Sequence, residues 1–262
     1  MTPAPSQPPD AAREPFLTSF FQVLREDLLL LALLHDRELS AGTLHELRRD
    51  GVEDLLGLRL ESPAGQDALA LLNQGLTDIP AHPDQRTLDI LAAEYADIYL
   101  NYAFDASPCE SVWLDEDGLI MQEPMFQIRR WYQRHGLAVA NWRLRTDDHL
   151  VNQLQFVAFL LEGEANPVRL EEVARFLDEH PLRWIGAFAE RVATRCRTRF
   201  YAGLASLTAA YLEEFRDLAA RVLGHPRPSA ADIEDRMRSL SETLGLPVKG
   251  PLPYRPHEGP GW

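Results

Sequence analysis

The chain has 262 residues, 45% of them hydrophobic, and a net charge of −14 from 26 basic and 40 acidic residues. At this length a single core can bury most of its apolar surface without a metal or a disulfide. An acidic surface repels the phosphates of nucleic acids and anionic lipids, so nucleic acid is not expected as a partner and a basic polypeptide is favoured. The alternative, that the acidic residues only keep the protein soluble, stays open.

The two cysteines, Cys109 and Cys196, lie far apart in the sequence. Neither belongs to a CxxC or other metal-type cluster, so no structural zinc or iron–sulfur site is predicted, and a reducing compartment fits better than a secreted disulfide framework. The most apolar run, 28–34, is far shorter than the roughly 20 residues that span a bilayer. We therefore expect a cytoplasmic protein without stable membrane insertion.

Apolar residues recur at spacings of three and four from Phe16 onward, which predicts a chain of amphipathic helices. Ser40 favours the start of the second helix and Gly51 its end. Pro83 is expected in the first turn of a later helix, where its missing N–H costs nothing. The predicted helices are 16–35, 41–50, 63–79, 83–102, 123–135, 150–161, 167–179, 184–196, 200–223 and 230–244.

Neither period-two strands, nor a nucleotide-binding loop, nor a repeat of fixed length is present in the sequence. These observations predict an all-α fold, a single globular domain of many helices. The chain is expected to consist of a flexible N-terminal tail at 1–14, a helical domain at 15–225, and a C-terminal helix with a Pro/Gly-rich tail at 226–262. The N-terminal segment has no basic region followed by an apolar core, so it is not expected to be a signal peptide.

The segment 107–111 interrupts the helical pattern. Cys109, beside Glu110 and Ser111, suggests a cysteine nucleophile, but nothing nearby lowers the pKa of the thiol or completes a catalytic triad. A turn made by Pro108, with Ser111 bonding to its own backbone, explains the same residues equally well.

A second unusual segment, Asp147-Asp148-His149, precedes a strongly apolar helix. A carboxylate beside an imidazole suits acid–base chemistry or metal binding, and together with Glu94 these residues would form the site of a helical metal-dependent hydrolase. Adjacent helix residues point in different directions, however, so they do not converge on one ion by themselves. An N-cap role for Asp147 or Asp148 is favoured on these residues alone.

Aromatic residues are concentrated around both segments, and the acidic residues 115–117 follow the first. Most of these rings are expected in the core, although tyrosine and tryptophan are also favoured where an apolar groove meets water. A groove lined by rings and bordered by carboxylates would suit a peptide. The rings are Tyr95, Tyr99, Tyr102, Phe104, Trp113, Phe126, Trp131, Tyr132 and Trp142.

Together the two segments resemble the TorD/DmsD family of redox-enzyme maturation chaperones. That family is typically marked by a P-[YW]-x-S-V-[YW] stretch and, on a later helix, by a DHL stretch followed by L-x-F. Here the first stands at 108–113 as PCESVW, and the second at 148–150 as DHL, followed by LQF at 154–156. The resemblance covers most of the chain, from the first helix to Leu223.

The resemblance implies a cytoplasmic all-α chaperone that is not an enzyme and has no redox cofactor of its own. Its expected partners are the apo catalytic subunit of a molybdenum-cofactor oxidoreductase and the twin-arginine signal peptide of that subunit. Binding would assist cofactor insertion and prevent premature export. The resemblance places Pro108, Ser111, Trp113, Asp148 and His149 in or beside the peptide-binding region.

The aromatic content adds Tyr99 and Phe104 to these candidate peptide-binding residues, because their rings would contact the apolar part of the peptide. Asp148 and the 115–117 loop are expected to pair with the twin arginines, and His149 to orient Asp148 or bond the peptide backbone. Asp148→Ala should then weaken peptide binding with little change in melting. A general helical adaptor stays an alternative, and the chain is expected to be a monomer or a helix-swapped dimer.

Overall fold

Helices account for nearly all the regular structure of residues 10–244, the part of the chain that the computed structural model describes. Within these residues twelve α-helices and one 3₁₀ turn follow one another, so the predicted all-α fold is confirmed. None of these helices is long and apolar enough to cross a membrane. The helices are α1 (Asp10–Asp36), α2 (Ala41–Asp50), α3 (Val52–Leu55), α4 (Pro63–Asp78), α5 (Gln85–Tyr99), α6 (Ser111–Leu114), α7 (Glu123–Arg134), α8 (Leu150–Leu160), α9 (Pro167–Glu179), the 3₁₀ turn (Pro181–Arg183), α10 (Ile185–Arg195), α11 (Arg199–Leu223) and α12 (Ala230–Leu244).

The two ends of the chain are described only in part. Helix α1 begins at Asp10, within the segment 1–14 for which the sequence predicts a tail. Helix α12 covers the predicted range 230–244. The remaining tail residues, 1–9 and 245–262, lie outside the described residues.

Most helix ends follow from local residues. Ser40 caps α2 by accepting a backbone N–H of the first turn at 3.1 Å, and Gly51 ends that helix with a φ of +74°, as predicted. Gly224 ends α11 in the left-handed conformation. The predicted start of α5 is wrong: Asp84 caps this helix through its carboxylate, so Pro83 precedes the cap instead of lying in the first turn.

Helix α11 runs through the core and packs closely on α4 and α10. Two glycines allow its close approach to α4. A Cβ atom at Gly203 would lie 2.5 Å from the backbone of Leu72, and one at Gly75 would lie 2.5 Å from the backbone nitrogen of Phe200. The absence of side chains at this crossing therefore sets the distance between the two helices.

Helix α8 packs on α1, whose last turn carries the buried residue His35. The hydroxyl of Thr208 donates to the Leu204 carbonyl at 2.9 Å, so it accepts a hydrogen bond from Nε2 of His35 at 2.8 Å. Nδ1 then accepts the hydroxyl hydrogen of Tyr99 at 2.6 Å. Burial lowers the pKa of His35 to about 3, which keeps this imidazole neutral. The hydrogen-bond chain holds the Tyr99 ring in place.

Candidate functional site

The two segments that interrupt the helical pattern lie side by side. Cys109 and His149 form an isolated antiparallel bridge, so main-chain hydrogen bonds attach the start of α8 to the loop before α6. We call this feature the motif bridge. Its hydrogen bonds run from the Glu110 N–H to the Asp148 carbonyl at 3.1 Å and from the Leu150 N–H to the Pro108 carbonyl at 2.8 Å.

Asp148 is fully buried at the motif bridge. Its Oδ2 accepts the backbone N–H of Ser111 at 2.8 Å, while Oδ1 has no hydrogen-bond partner in the described part of the chain. Asp147 pairs instead with the guanidinium of Arg129, at 2.8 Å. Neither aspartate caps α8, so that interpretation is wrong, and Asp148 holds the loop through its backbone.

His149 is the N-cap of α8. Its Nδ1 accepts the backbone N–H of Val151 at 3.2 Å. Burial, followed by the charge of Arg145, lowers the pKa of His149 to about 3. The imidazole is therefore neutral at physiological pH, with its one proton on Nε2. Among the described residues this N–H has no acceptor, so it can donate to a ligand.

The short helix α6 carries Ser111 and Trp113. The Ser111 hydroxyl accepts the backbone N–H of Gln122 at 3.2 Å, a more distant partner than the local backbone considered above. The indole N–H of Trp113 donates to the Ser107 carbonyl at 2.8 Å, and its ring packs edge-on against Phe188. Both side chains thus fix the shape of the loop.

Cys109 does not have the environment of a nucleophile. Its thiol is buried, and burial, followed by the charge of Asp148, raises its pKa to about 12. The thiol therefore stays protonated near neutral pH, where it is unreactive. It accepts a hydrogen bond from the hydroxyl of Thr146 at 3.4 Å.

A buried polar network that the sequence did not predict lies next to the motif bridge. The amide of Gln153 donates to Glu110 at 3.0 Å and to the Asp148 carbonyl at 2.8 Å. Nδ1 of His180 lies 2.9 Å from the other carboxylate oxygen of Glu110. Burial raises the pKa of Glu110, and His180 opposes that shift. In the sequence the one sign of this network is the acidic residue Glu110 directly after Cys109.

An open pocket of about 460 Å³ borders the motif bridge on the side of His149. Its walls come from the end of α5, the start of α8 and the segment 139–145 between α7 and α8. Two leucines on its walls are strongly exposed, Leu100 at 58% and Leu144 at 84%. Three tyrosine side chains, Tyr95, Tyr99 and Tyr102, also line it.

A second pocket of about 380 Å³ adjoins the first, because Val139, Ala140 and Asn152 line both. Its other walls are mostly apolar, and Phe159 is 37% exposed there. We call the two adjoining pockets the ring groove. Its aromatic lining consists of Tyr95, Tyr99, Tyr102, Tyr132, Phe156 and Phe159.

Tyr99 and His149 are the predicted site residues that line the ring groove. Phe104 is partly buried and packs against the core. The other predicted residues form or support the motif bridge and are not among the residues lining the groove. They are Pro108, Ser111, Trp113 and Asp148. A role in peptide binding stays a prediction for all seven.

The acidic loop borders a separate pocket of about 330 Å³ beside α12. Three carboxylates, of Asp115, Glu123 and Glu234, line it beside two arginines, Arg183 and Arg238, and we call it the acidic pocket. Glu234 is paired with Arg183 at 2.8 Å. Burial raises the pKa of Glu123, whereas the hydrogen bond from Gln127 and the charge of Arg183 oppose this shift. The carboxylates therefore outnumber the arginines by one on the walls of this pocket.

The residues of the hydrolase alternative have other contacts. Glu94 accepts backbone N–H groups of Arg197 and Thr198 at the turn between α10 and α11. Asp147 is paired with Arg129. Within residues 10–244, no group of three or more His, Cys, Asp or Glu side chains could hold a metal ion.

The chain is thus an all-α protein whose two joined loops border a ring-lined groove and an acidic pocket, as in a protein that binds a ligand on its surface. A sequence profile described as nitrate reductase delta subunit matches residues 60–190, which is half of the chain. The chain belongs to this family, which includes the TorD and DmsD chaperones, and the resemblance stated above is thereby confirmed. This membership agrees with the prediction that the chain is not an enzyme.

Three relatives illustrate the similarity. The chain is 32% identical to the chaperone protein TorD of Vibrio cholerae over 132 residues, 47% of this chain and 60% of the relative. It is 25% identical to the TorD chaperone of Aliivibrio fischeri over 205 residues, 75% of this chain and 94% of the relative. It is 29% identical to the probable Tat proofreading chaperone DmsD of Haemophilus influenzae over 109 residues, 42% of this chain and 51% of the relative. The chain thus spans 60% of the length of the Vibrio cholerae relative.

Proposed function

We propose that the chain is a cytoplasmic chaperone for the apo catalytic subunit of a molybdenum-cofactor oxidoreductase. It binds the twin-arginine signal peptide of this subunit and delays export until the cofactor is inserted. The proposal rests on one observation: the ring groove and the acidic pocket lie beside the two segments that the motif bridge joins. The chaperone names of the relatives, one of them a Tat proofreading chaperone, support it.

The ring groove suits the apolar part of such a peptide. Leu100 and Leu144 are exposed on its walls, and covering a leucine side chain is worth about 1.5–3 kcal/mol at most. The free Nε2–H of His149 is placed to donate to a carbonyl of the peptide backbone. The tyrosine rings provide flat apolar contacts with little loss of side-chain entropy.

The acidic pocket suits the twin arginines. In the described part of the chain Asp115 and Glu123 form no ion pair, although Arg183 and Arg238 share the pocket. Glu234 is already paired with Arg183. Guanidinium groups can bond carboxylates through two parallel hydrogen bonds, which favours arginine over lysine. Asp148, which is fully buried, then positions the loop between the two surfaces instead of contacting an arginine itself.

Fluorescence anisotropy of a labelled twin-arginine peptide tests the apolar contact. Leu144→Ser should weaken binding about fivefold to thirtyfold, since part of the leucine burial is lost. Leu144 is so exposed that this change should not alter folding. Ile90→Ser is the matched control, because Ile90 is 49% exposed and lies outside the groove lining. Equal effects of the two variants would contradict the proposed groove.

The same assay tests the charge contact. Asp115→Asn should weaken binding of the twin-arginine peptide and have little effect on a peptide in which both arginines are replaced by glutamine. Asp89→Asn, on the exposed side of α5, is the control for net charge. Equal affinity for the twin-arginine peptide and a scrambled peptide would favour the adaptor alternative. Co-purification of a molybdoenzyme subunit with its leader intact would identify the client.

A further inference from the structure

A pocket of about 610 Å³ lies between α7 and α12. Arg130 and Arg134 line it, together with Gln127, Gln133 and Leu240. Residues four positions apart on a helix lie on the same face, so both arginines extend from one face of α7. Arg130 and Arg134 are the charged residues on the walls of this pocket, which we call the arginine pocket.

Neither arginine has a carboxylate partner in the described part of the chain. Arg134 lies over the ring of Trp131, 4.1 Å from its centroid, and donates to the Arg130 carbonyl at 3.4 Å. The nearby Arg175, in contrast, is paired with Glu179 at 2.7 Å. Like charges four residues apart weaken a helix, so this arrangement is unfavourable unless an anion lies between them.

The ring beneath Arg134 carries a buried donor without an acceptor. Trp131 is buried, and its indole N–H has no hydrogen-bond partner among the described residues. Burial, followed by the charge of Arg175, lowers the pKa of Arg134. The charges of Glu179 and Glu172 oppose this shift, and the Arg134 side chain is exposed, so its guanidinium is open to a ligand from solvent.

The sequence around the pocket is equally one-sided. Residues 124–145 contain five arginines and no aspartate or glutamate, although the whole chain has 40 acidic residues. Two of the five, Arg129 and Arg145, are paired with aspartates from other segments, which leaves three without an ion pair in the described part of the chain. Elsewhere the net charge of −14 opposes the approach of an acidic partner. This face would therefore select and orient such a partner.

We propose that the arginine pocket binds an acidic polypeptide segment, two carboxylates of which pair with Arg130 and Arg134. The amide of Gln133 can bond the peptide backbone, and Leu240 offers an apolar wall. Phosphate sites commonly use the backbone N–H groups of a helix start. The side chains lining this pocket come instead from beyond the first turn of α7 and from the end of α12, which favours carboxylates on a polypeptide.

The site does not depend on the signal-peptide proposal, because its ligand has the opposite charge and its arginines do not line the ring groove or the acidic pocket. The probe is a short labelled peptide in which glutamates alternate with serines, measured against the full chain by fluorescence anisotropy. Arg130→Gln with Arg134→Gln should weaken its binding at least about tenfold, since two charge-assisted pairs are lost. The affinity of the wild type should fall as salt rises.

The matched control is Arg86→Gln with Arg221→Gln, which removes the same charge from exposed sites on α5 and α11. Gln133→Glu, at an exposed position, should also weaken binding, because it places a competing carboxylate in the pocket. No binding by the wild type, or equal loss in the control, would overturn the proposal. So would tighter binding of inorganic pyrophosphate than of the peptide at the same two arginines.

Discussion

The carboxylate of Asp148 and the backbone of Ser111 are 37 residues apart in sequence and 2.8 Å apart in the fold. Each is fully buried, so neither can exchange its partner for water. The hydrogen bond between them therefore stabilises the contact between the loop before α6 and the start of α8. Loss of the carboxylate should affect the stability of the whole loop.

Asp148→Ala is expected to lower the melting temperature. It leaves the Ser111 N–H buried without an acceptor, which costs about 1–3 kcal/mol. For a chain of this length each kcal/mol corresponds to roughly 2–4 °C. This expectation replaces the earlier one of almost unchanged melting. Asp117→Ala, in the exposed acidic loop, is the control, and equal melting of the two variants would show that the buried bond contributes little.

The sequence could not have shown this bond. An aspartate before an apolar helix usually caps it, because the first N–H groups lie within reach of its side chain. Here the cap is His149, and Asp148 bonds a residue from another part of the chain. Local sequence preferences indicate which backbone groups of its own turn a side chain can bond. The motif bridge brings a distant backbone group, the Ser111 N–H, next to Asp148.

At the scale of the helices, local signals were more informative. Apolar spacing placed ten of the described helices, with the start of α1 six residues late, and missed the short helices α3 and α6. Gly51 and Gly224 ended theirs as glycine does when a positive φ is needed. The distance between helices was not visible in the same pattern. Gly75 and Gly203 weaken a helix when it is considered alone, and their purpose becomes clear only where α4 crosses α11.

Gly203→Ala is expected to destabilise the protein. The added methyl group would lie 2.5 Å from the backbone of Leu72, so α4 must shift. Overpacking of this kind costs about 1–3 kcal/mol, more than the roughly 1 kcal/mol that alanine gains over glycine in a helix. The free energy of unfolding in urea measures the net effect. Gly186→Ala, where a Cβ atom meets open space, should be neutral or stabilising, and a gain from Gly203→Ala would contradict the close crossing.

At the scale of the whole molecule, the net charge predicts that a partner is basic, but it does not predict how charge is distributed over the surface. A total of −14 favours basic ligands, as the acidic pocket also does. The arginine pocket shows the opposite sign on the same protein. Composition gives only the sum, and pairing within the fold decides which charges are left free. Arg129 and Arg145 are paired with aspartates, whereas Arg130 is not.

Buried histidines should make the stability of the protein depend on pH. Burial lowers the pKa of His35 and of His149 to about 3, whereas in the unfolded chain each imidazole takes up a proton near pH 6.5. Between these values the unfolded state binds more protons, so the free energy of unfolding falls as the pH falls. The raised pKa of Glu110 acts in the opposite direction but is common to all the variants compared.

Urea unfolding between about pH 6.5 and 5 should therefore show a loss of up to about 1.4 kcal/mol per pH unit for each of the two histidines. His149→Asn removes one titrating group and keeps a good N-cap, so it should reduce the slope by about half. His82→Asn, at an exposed position, should leave the slope unchanged. If His149→Asn has the slope of the wild type, the imidazole of His149 takes up its proton equally well in the folded state, and its neutral Nε2–H is not the donor that the ring groove presents.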